Sequence, residues 1–294
     1  HHDGQVYEKT NEEINLEEVE RIQLRKSQGI HSRSPAGNWK FAGPNKTFDT
    51  DGLTKVTWQT NIYSMDIALS DSTVLYAGGE DGGEWKTTDH GKNWTLTTSN
   101  IHHGAVGAVK IHPKNPDTVY AGTSGKIIKT NDGGKNWTTV YSENGLWTND
   151  LAIRTTDGQL IFAATNKGLI KSIDGGKTWT KVFPEECWTI KFRRNNQATI
   201  YCVKQNGNSS SFLRSTDNGT IWFTIGNGWY NPGISETVTG ALIAVCPSNS
   251  NKLYAYLCGN GGTLNGYVGV FVSLNGGDSW NNTNPTNAIG GTYS

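Results

Sequence analysis

The chain has 294 residues, enough for one large repeat domain or two ordinary ones. Its 26 Lys and Arg residues balance its 26 Asp and Glu residues, so it lacks the basic surface of a nucleic-acid binder, and no nucleic-acid partner is predicted. No apolar run reaches the roughly 18 residues of a membrane-spanning helix, and the 36 Gly and 11 Trp residues favour an all-β, turn-rich protein.

The N-terminal part of the chain carries the one clear helical pattern. In residues 8–27, apolar side chains recur at helical spacing among charged ones, which gives a stripe too narrow to fold alone. Residues 28–37 contain Ser, Gly and Pro and are predicted to be a linker. We therefore divide the chain into an N-terminal helix and linker, residues 1–37, and a strand-rich region, residues 38–294.

A nine-residue motif recurs five times in the strand-rich region. The copies are residues 86–94, 129–137, 171–179, 214–222 and 272–280. They share the pattern Ser/Thr-x-Asp-x-Gly-x-x-Trp, with Asn275 in place of Asp in the last copy. The Trp residues are 43, 42, 43 and 58 residues apart, and a period of about 40–45 residues with four short strands is typical of a β-propeller blade.

The chemistry of the motif predicts a tight turn between the last two strands of each blade. The Asp carboxylate accepts backbone N–H bonds from the residues that follow it. The Gly two positions later supplies a positive φ, and the Trp offers a large apolar surface. Because the Trp recurs in every unit, we expect it to pack between neighbouring sheets rather than to bind a ligand.

The spacing predicts at least five four-stranded blades. They lie near residues 62–97, 105–141, 147–183, 188–225 and 237–282. Residues 38–43, with Trp39, resemble an outer strand that lacks the three strands of its own blade. In propellers such a strand often completes the last blade. Too few residues follow Trp280 to supply those three strands, so we expect an incomplete ring, with further blades or domains of the same polypeptide as partners.

The five motif copies resemble the Asp box, or bacterial neuraminidase repeat. This β-propeller superfamily includes sialidases, sortilin-type receptors, tandem-propeller xyloglucanases and photosystem II assembly factors. The resemblance implies the fold and leaves the activity open. The N-terminal helix, followed by the segment from Gly37 to Pro44, is also similar to large exported bacterial proteins, many of which use the type IX secretion route. That likeness implies a secreted or cell-surface protein.

The sequence carries few features of a catalytic site. The Arg-Ile-Pro motif of sialidases is missing. Gly78-Gly79-Glu80-Asp81 is similar to the xyloglucanase segment that carries a catalytic acid, which makes Glu80 and Asp81 the catalytic candidates, although Glu80 replaces Asp. Glycoside hydrolysis needs two carboxyl groups, and the family takes its second from another propeller. The alternative is a Gly-rich loop with solvated acids.

Metal sites and cofactors have little support in the sequence. Asp49 and Asp51 lie in an oxygen-rich run that lacks the later Glu of an EF-hand, so a turn is the default interpretation. None of the four cysteines forms a CxxC pair; buried free thiols are the simplest interpretation, and disulfides stay open. No cofactor is predicted.

Blade topology places the candidate ligand site on one rim of the propeller. The motif turns share one rim. The loop before each inner strand and the loop between the second and third strands share the opposite rim, where the long fifth repeat has its extra residues. The candidate ligand-binding residues there are Tyr63, His102, His103, Trp147, Trp188, Trp229 and Tyr230. Alternatively, Trp147 and Trp188 fill the central channel.

These observations favour a non-catalytic recognition or scaffold module of a larger secreted or cell-surface protein. Aromatic residues beside Asn, Asp and Gly suit a sugar ring or a peptide, so the expected partner is a glycan or a protein. The alternative function is a xyloglucanase-like glycoside hydrolase that residues outside this chain complete.

Overall fold

The computed structural model describes residues 61–80, 83–98, 104–261 and 264–283. All of them belong to one structural unit, residues 42–294. The helix predicted at residues 8–27, the linker after it and the closing strand around Trp39 lie outside the described residues, so the division of the chain near residue 37 stays a prediction.

The described residues form five antiparallel sheets, numbered in chain order. Sheet 1 contains β1 (Ile62–Ile67), β2 (Leu75–Gly79), β3 (Glu84–Thr87) and β4 (Thr95–Leu96). Sheet 2 contains β5 (Val106–His112), β6 (Asn115–Thr123), β7 (Lys126–Thr130) and β8 (Thr138–Ser142). Sheet 3 contains β9 (Thr148–Ile153), β10 (Ile161–Thr165), β11 (Gly168–Ser172) and β12 (Thr180–Phe183). Sheet 4 contains β13 (Cys187–Phe192), β14 (Ile200–Asn206), β15 (Ser209–Ser215) and β16 (Phe223–Thr224).

Sheet 5 contains β17 (Thr237–Val245), β18 (Leu253–Gly261), β20 (Gly269–Ser273) and β21 (Asn281–Asn282), and the short β19 (Leu264–Asn265) pairs with β18. Each sheet is a meander in which neighbouring strands follow one another in the chain. The predicted all-β fold with five four-stranded blades is therefore confirmed.

The sheets pack face to face in chain order. The first strand of each sheet contacts the first strand of the next, from β1 through β5, β9 and β13 to β17, and these strands are the inner ones. Hydrophobic clusters fill the spaces between sheets; in one of them Tyr120 of sheet 2 meets Leu151 and Ile170 of sheet 3. In the described part of the chain, β17 and β1 make no contact of comparable extent.

The motif turns have the predicted hydrogen bonds. In sheet 2, the Thr130 hydroxyl donates to Asp132 Oδ1 at 2.7 Å, and the Asn136 backbone N–H donates to the same oxygen at 2.9 Å. The Gly134 N–H donates to Thr130 Oγ1 at 3.0 Å. Asn275 reproduces this arrangement in sheet 5, where its Oδ1 accepts the N–H of Ser279.

The turns also contain a left-handed residue that the sequence analysis did not predict. Besides the expected Gly, the residue directly after the Asp has a positive φ. In two copies that residue is not Gly: His90 has a φ of 59° and Asn218 a φ of 60°. Asn tolerates this conformation better than most side chains do, which explains the Gly or Asn at this position in four of the five copies.

The motif Trp residues of sheets 2 to 5 pack onto the preceding sheet, as predicted. The Trp222 ring lies 6.1 Å from the ring of Phe162 and 6.2 Å from that of Phe183, both in sheet 3. The Trp280 ring lies 5.0 Å from that of Phe212 in sheet 4. These edge-to-face contacts join successive sheets.

A second set of contacts joins the same sheets through a cation on the third strand. The donor and acceptor pairs are Lys86 Nζ and Gly133 O at 3.1 Å, Lys129 Nζ and Gly175 O at 3.0 Å, Lys171 Nζ and Gly219 O at 3.5 Å, and Arg214 Nη1 and Gly276 O at 3.1 Å. Each acceptor is a carbonyl oxygen in the motif turn of the next sheet. The first residue of the motif is thus an inter-sheet contact.

Candidate functional site

The rim opposite the motif turns contains a cavity of about 590 Å³. Its lining residues are Tyr63, Glu80, Ala105, Gly107, Trp147 and Asn149. They lie at or just before the starts of the inner strands of sheets 1, 2 and 3, together with the loop that follows β2. Three consecutive sheets therefore contribute to one site.

Glu80 is the one carboxylate among the described residues that line this cavity. Asn61 Nδ2 donates to Glu80 Oε2 at 2.5 Å, and the Glu80 N–H donates to the Asn61 carbonyl oxygen at 2.8 Å. Hydrogen bonds to the carboxylate from the side chains of Tyr63 and Asn61 lower the pKa of Glu80 below its ordinary value. Glu80 is therefore an ionised hydrogen-bond acceptor at neutral pH.

Trp147 forms the aromatic wall of the cavity. Asn166 fixes its backbone, because Asn166 Oδ1 accepts the Trp147 N–H at 2.7 Å and the Asn166 N–H donates back to the Trp147 carbonyl oxygen. A Cβ at Gly107 would lie 2.8 Å from Trp147 Cζ2, so a glycine is needed where the indole crosses β5. The Tyr63 ring meets Trp147 edge to face, with a centroid separation of 6.1 Å.

Asn149 ties the cavity to sheet 4. Its Nδ2 donates to the Cys187 carbonyl oxygen at 2.9 Å and to Glu186 Oε1 at 3.4 Å. Neither Asn149 nor Gly107 is among the candidates that the sequence offers. Both are the second residue of an inner strand. A comparison of that position between repeats could therefore have selected them from the sequence.

The structure brings Tyr63, Glu80 and Trp147 together and separates them from the other described candidates. Trp188 is 7% exposed and belongs to the hydrophobic cluster between sheets 4 and 5. Trp229 and Tyr230 pack against the same cluster.

Hydrogen bonds also fix the two aromatic residues of the long loop before β17. Trp229 Nε1 donates to Ser210 Oγ at 3.0 Å, and the Tyr230 hydroxyl donates to Glu236 Oε2 at 2.6 Å. Burial and this hydrogen bond raise the pKa of Tyr230 to about 12. The extra length of the fifth repeat before β17 thus adds packing against sheets 4 and 5.

Several predicted site residues lie outside the described residues. They are Asp49, Asp51, Asp81, His102 and His103. Within the described ranges, no group of three or more His, Cys, Asp and Glu side chains is placed to hold a metal ion. All four cysteines are free thiols; Cys187 and Cys202 are buried, and Cys246 and Cys258 are partly exposed. The described part of the chain has no helix long and apolar enough to cross a membrane.

Comparison with known families supports the superfamily that the motif suggests. A family model described as Sortilin, neurotensin receptor 3, matches residues 84–219, which is somewhat less than half of the chain. This segment runs from β3 into the motif turn of sheet 4. The chain matches no curated protein by sequence.

Solved structures of similar fold include enzymes and binding proteins. The GH74 enzyme of Niastella koreensis covers 75% of this chain at 19% identity with a TM-score of 0.58, and this chain spans only 38% of its length. A structure of YCF48 bound to D1 peptide covers 79% at 18% identity with a TM-score of 0.50, and the match spans 72% of that chain. An extracellular domain from B. thetaiotaomicron, assigned to a hybrid two-component system, covers 80% at 11% identity with a TM-score of 0.54, and the match spans 28% of that chain.

At these identities the likeness concerns the fold. With its five hydrogen-bonded motif turns and its series of four-stranded sheets, the chain is an Asp-box β-propeller.

Proposed function

We propose that this propeller is a non-catalytic recognition module that binds a glycan or a protein segment in the cavity of Tyr63, Glu80 and Trp147. The observation that carries the proposal is the cavity itself, where an aromatic pair and an ionised carboxylate face one space of about 590 Å³. Aromatic faces beside a few fixed polar groups are typical of small-ligand and peptide sites.

The chemistry of Glu80 favours binding over acid catalysis. A glycosidase needs two carboxyl groups about 5–9.5 Å apart, one of them with a raised pKa so that it can donate a proton. The described residues that line the cavity include one carboxylate, and its pKa is lowered. Glu80 is suited to accept hydrogen bonds from hydroxyl or amide groups of a ligand.

The comparisons support a recognition role and an extracellular location. One solved propeller of similar fold holds a peptide, and another is an extracellular domain. The matching family model describes a receptor. We extend these properties to this chain as part of the proposal: it belongs to a secreted or cell-surface protein, and export by the type IX route remains a prediction from the N-terminal sequence.

Binding screens with matched variants test the proposal. The chain is applied to a glycan array and a peptide library, and the affinity of each hit is measured by calorimetry. We expect Trp147→Ala to weaken binding about tenfold or more, as removal of a central aromatic residue does. Phe223→Ala is the control, because Phe223 is an exposed aromatic residue on the outer strand of sheet 4. Hits that Trp147→Ala leaves unchanged would contradict the proposed site.

A glycoside hydrolase is the second candidate, favoured by Glu80 in a cavity and by the fold of the GH74 enzyme. It requires a second carboxylate from outside the described lining. Incubation of the complete natural polypeptide with xyloglucan and related β-glucans tests this candidate. Release of reducing ends that Glu80→Gln abolishes would favour it over the recognition module.

A further inference from the structure

Sheet 5 has one broad apolar face that none of the other described sheets covers. This face, called the outer face of sheet 5, is formed by Leu242, Ala244, Tyr254, Tyr256, Val270 and Val272, which the strand register places on one side. Leu242 is 59% exposed, Tyr254 38% and Tyr256 40%. A contiguous group of apolar side chains from three neighbouring strands is costly to leave exposed to water.

The same positions are buried in the four preceding sheets. Tyr254 pairs with Val272 as Tyr120 pairs with Lys129 in sheet 2. The counterparts of Tyr254 in sheets 1 to 4 are Tyr76, Tyr120, Phe162 and Tyr201, and each is at most 1% exposed. In each case the next sheet, with its motif turn, covers the aromatic ring. The outer face of sheet 5 thus has the features of an inter-sheet surface, and no sheet of the described residues packs on it.

The cation that accompanies each covered ring is also present in sheet 5, from a different strand. Lys129 Nζ lies 5.1 Å from the Tyr120 ring centroid, and Lys252 Nζ lies 5.3 Å from that of Tyr254. Val272 occupies the position of Lys129, so Lys252, directly before the second strand, replaces the cation of the third. In sheets 1 to 4 this cation donates to a carbonyl oxygen of the next motif turn.

We propose that the outer face of sheet 5 is the docking face of a sixth Asp-box sheet of the same polypeptide. A carbonyl oxygen of that sheet's motif turn would accept a hydrogen bond from Lys252. Its inner strand would carry a small residue against Tyr256, because Tyr256 takes the place of Gly78 and Gly122 in sheets 1 and 2.

The path of the chain favours the same polypeptide over a second copy as the source. In each earlier sheet, the outer strand ends at the rim where the inner strand of the next sheet begins: Phe183 ends β12 and Cys187 begins β13. The outer strand β21 ends in the same way at Asn282. An Asp-box sheet that follows in the same polypeptide would therefore begin its inner strand at this rim, beside β17.

Thiol labelling measures whether the face is covered. Cys258 lies on this face, next in the alternation of β18 after Tyr256. A Leu274→Cys variant supplies a control thiol, because Leu274 is 64% exposed in the motif turn of the same sheet. We expect Cys258 to react at least tenfold more slowly in a polypeptide that continues through the sixth sheet than in the 294-residue chain, with the control thiol at position 274 equally reactive in both. Equal Cys258 rates in the two proteins overturn the proposal. So does protection that grows with concentration of the 294-residue chain, which indicates a second copy.

Cross-linking identifies the occupant. A lysine-to-carboxyl cross-link from Lys252 in the complete polypeptide is expected to map to a segment with the Ser/Thr-x-Asp-x-Gly-x-x-Trp pattern outside this chain. A cross-link to residues 61–98 of another copy, or to a segment without the pattern, contradicts the proposal.

A pair of variants tests the outer face of sheet 5 independently of the labelling and cross-linking experiments. Leu242→Asp should lower the thermal midpoint of the complete polypeptide but not that of the 294-residue chain. Leu274→Asp is the control, because Leu274 is 64% exposed in the motif turn of the same sheet. Equal effects of the two substitutions on the complete polypeptide count against docking on this face.

Discussion

Lys129 and Gly175 join sheets 2 and 3: the Lys129 Nζ atom lies 3.0 Å from the Gly175 carbonyl oxygen in the next motif turn. The Tyr120 hydroxyl donates to the same oxygen at 2.7 Å. Burial lowers the pKa of Lys129. One backbone carbonyl thus accepts two donors across an inter-sheet boundary, and the ammonium also lies over the Tyr120 ring.

Replacing this cation should destabilise the propeller while leaving the turn intact. Lys129→Met keeps most of the stem and removes the charged donor, so we expect a loss of about 1–3 kcal/mol in the free energy of unfolding. Lys135→Met is the control, because Lys135 is exposed in the motif turn of the same sheet. Denaturant unfolding of both variants measures this loss. Similar unfolding midpoints for Lys129→Met and Lys135→Met would show that the cation contributes little to stability.

Glycines with the same left-handed backbone should differ in their tolerance of a methyl group. Gly219 has a φ of 72°, and a Cβ there would lie 2.4 Å from Phe162 Cζ in sheet 3. Gly207 has a φ of 58° and open space around it. Gly207→Ala should cost about 1–2 kcal/mol from backbone strain alone, and Gly219→Ala should cost about 1–3 kcal/mol more from overpacking. Equal losses in calorimetry would show that the contact with Phe162 relaxes freely.

The motif turns could be predicted from the sequence because their determinants are local. Thr130, Asp132 and Asn136 lie within seven consecutive residues, and their hydrogen bonds follow from side-chain chemistry and spacing. The inter-sheet position of the Trp residues followed from their recurrence. The fold therefore depends on features that one repeat already contains.

The cavity depends on which loops from different sheets come close together. Tyr63, Gly107 and Trp147 belong to three sheets and meet only after the inner strands pack, so spacing along the chain does not select them as a set. The same reason separates Trp229 from them: it also precedes an inner strand, but it packs against Phe212 of sheet 4, with ring centroids 5.5 Å apart. The rim on which the cavity lies and the types of its residues could be predicted from the sequence, but the directions of their side chains could not.

A buried carboxyl in sheet 1 should make stability fall as pH rises. Glu84 is 0% exposed, neither carboxyl oxygen has a hydrogen-bond partner among the described residues, and burial raises its pKa well above the ordinary value. Its register position is occupied by Ile127 in sheet 2 and Leu169 in sheet 3. The unfolded chain releases this proton above about pH 4.5 while the folded chain keeps it, so stability decreases by up to about 1.4 kcal/mol per pH unit until the folded pKa is reached.

Glu84→Leu should therefore stabilise the protein, by about 2 kcal/mol or more near neutral pH. The gain should shrink as pH falls towards 4.5, where Glu84 is protonated in both states. Thermal midpoints of wild type and Glu84→Leu between pH 4 and pH 8 measure this gain in stability. A constant difference across this range would mean that Glu84 does not titrate with a raised pKa.

The Asp carboxylates of the motif turns have the opposite pH dependence. Hydrogen bonds from the backbone and side chain of Asn136 and from Thr130 lower the pKa of Asp132 to about 2. This contribution is present above the ordinary pKa of 3.8 and is lost as pH falls through about 2. Asp132→Asn should keep the turn, as Asn275 does naturally, and reduce the loss of stability below pH 4. Asp132→Ala should lower the thermal midpoint at every pH. Melting curves from pH 2 to pH 7 measure the thermal midpoints of both variants and of the wild type. If the midpoints of wild type and Asp132→Asn fell equally below pH 4, the lowered pKa of Asp132 would not contribute to acid stability.

Glu80 in the cavity should report its hydrogen bond from Tyr63 even before a ligand is identified. That side-chain hydrogen bond is the largest cause of the lowered Glu80 pKa. Tyr63→Phe removes the donor, so the Glu80 pKa should rise towards its ordinary value of 4.5. Tyr141→Phe is a matched control, because the Tyr141 hydroxyl donates to Glu143 Oε2 at 2.7 Å and lowers the pKa of that carboxyl instead. Carboxyl NMR titrations of the three proteins should show Glu80 shifted only in Tyr63→Phe and Glu143 shifted only in Tyr141→Phe. A Glu80 titration unchanged by Tyr63→Phe would mean that the two side chains do not interact in solution and that the cavity is more open than the structure has it.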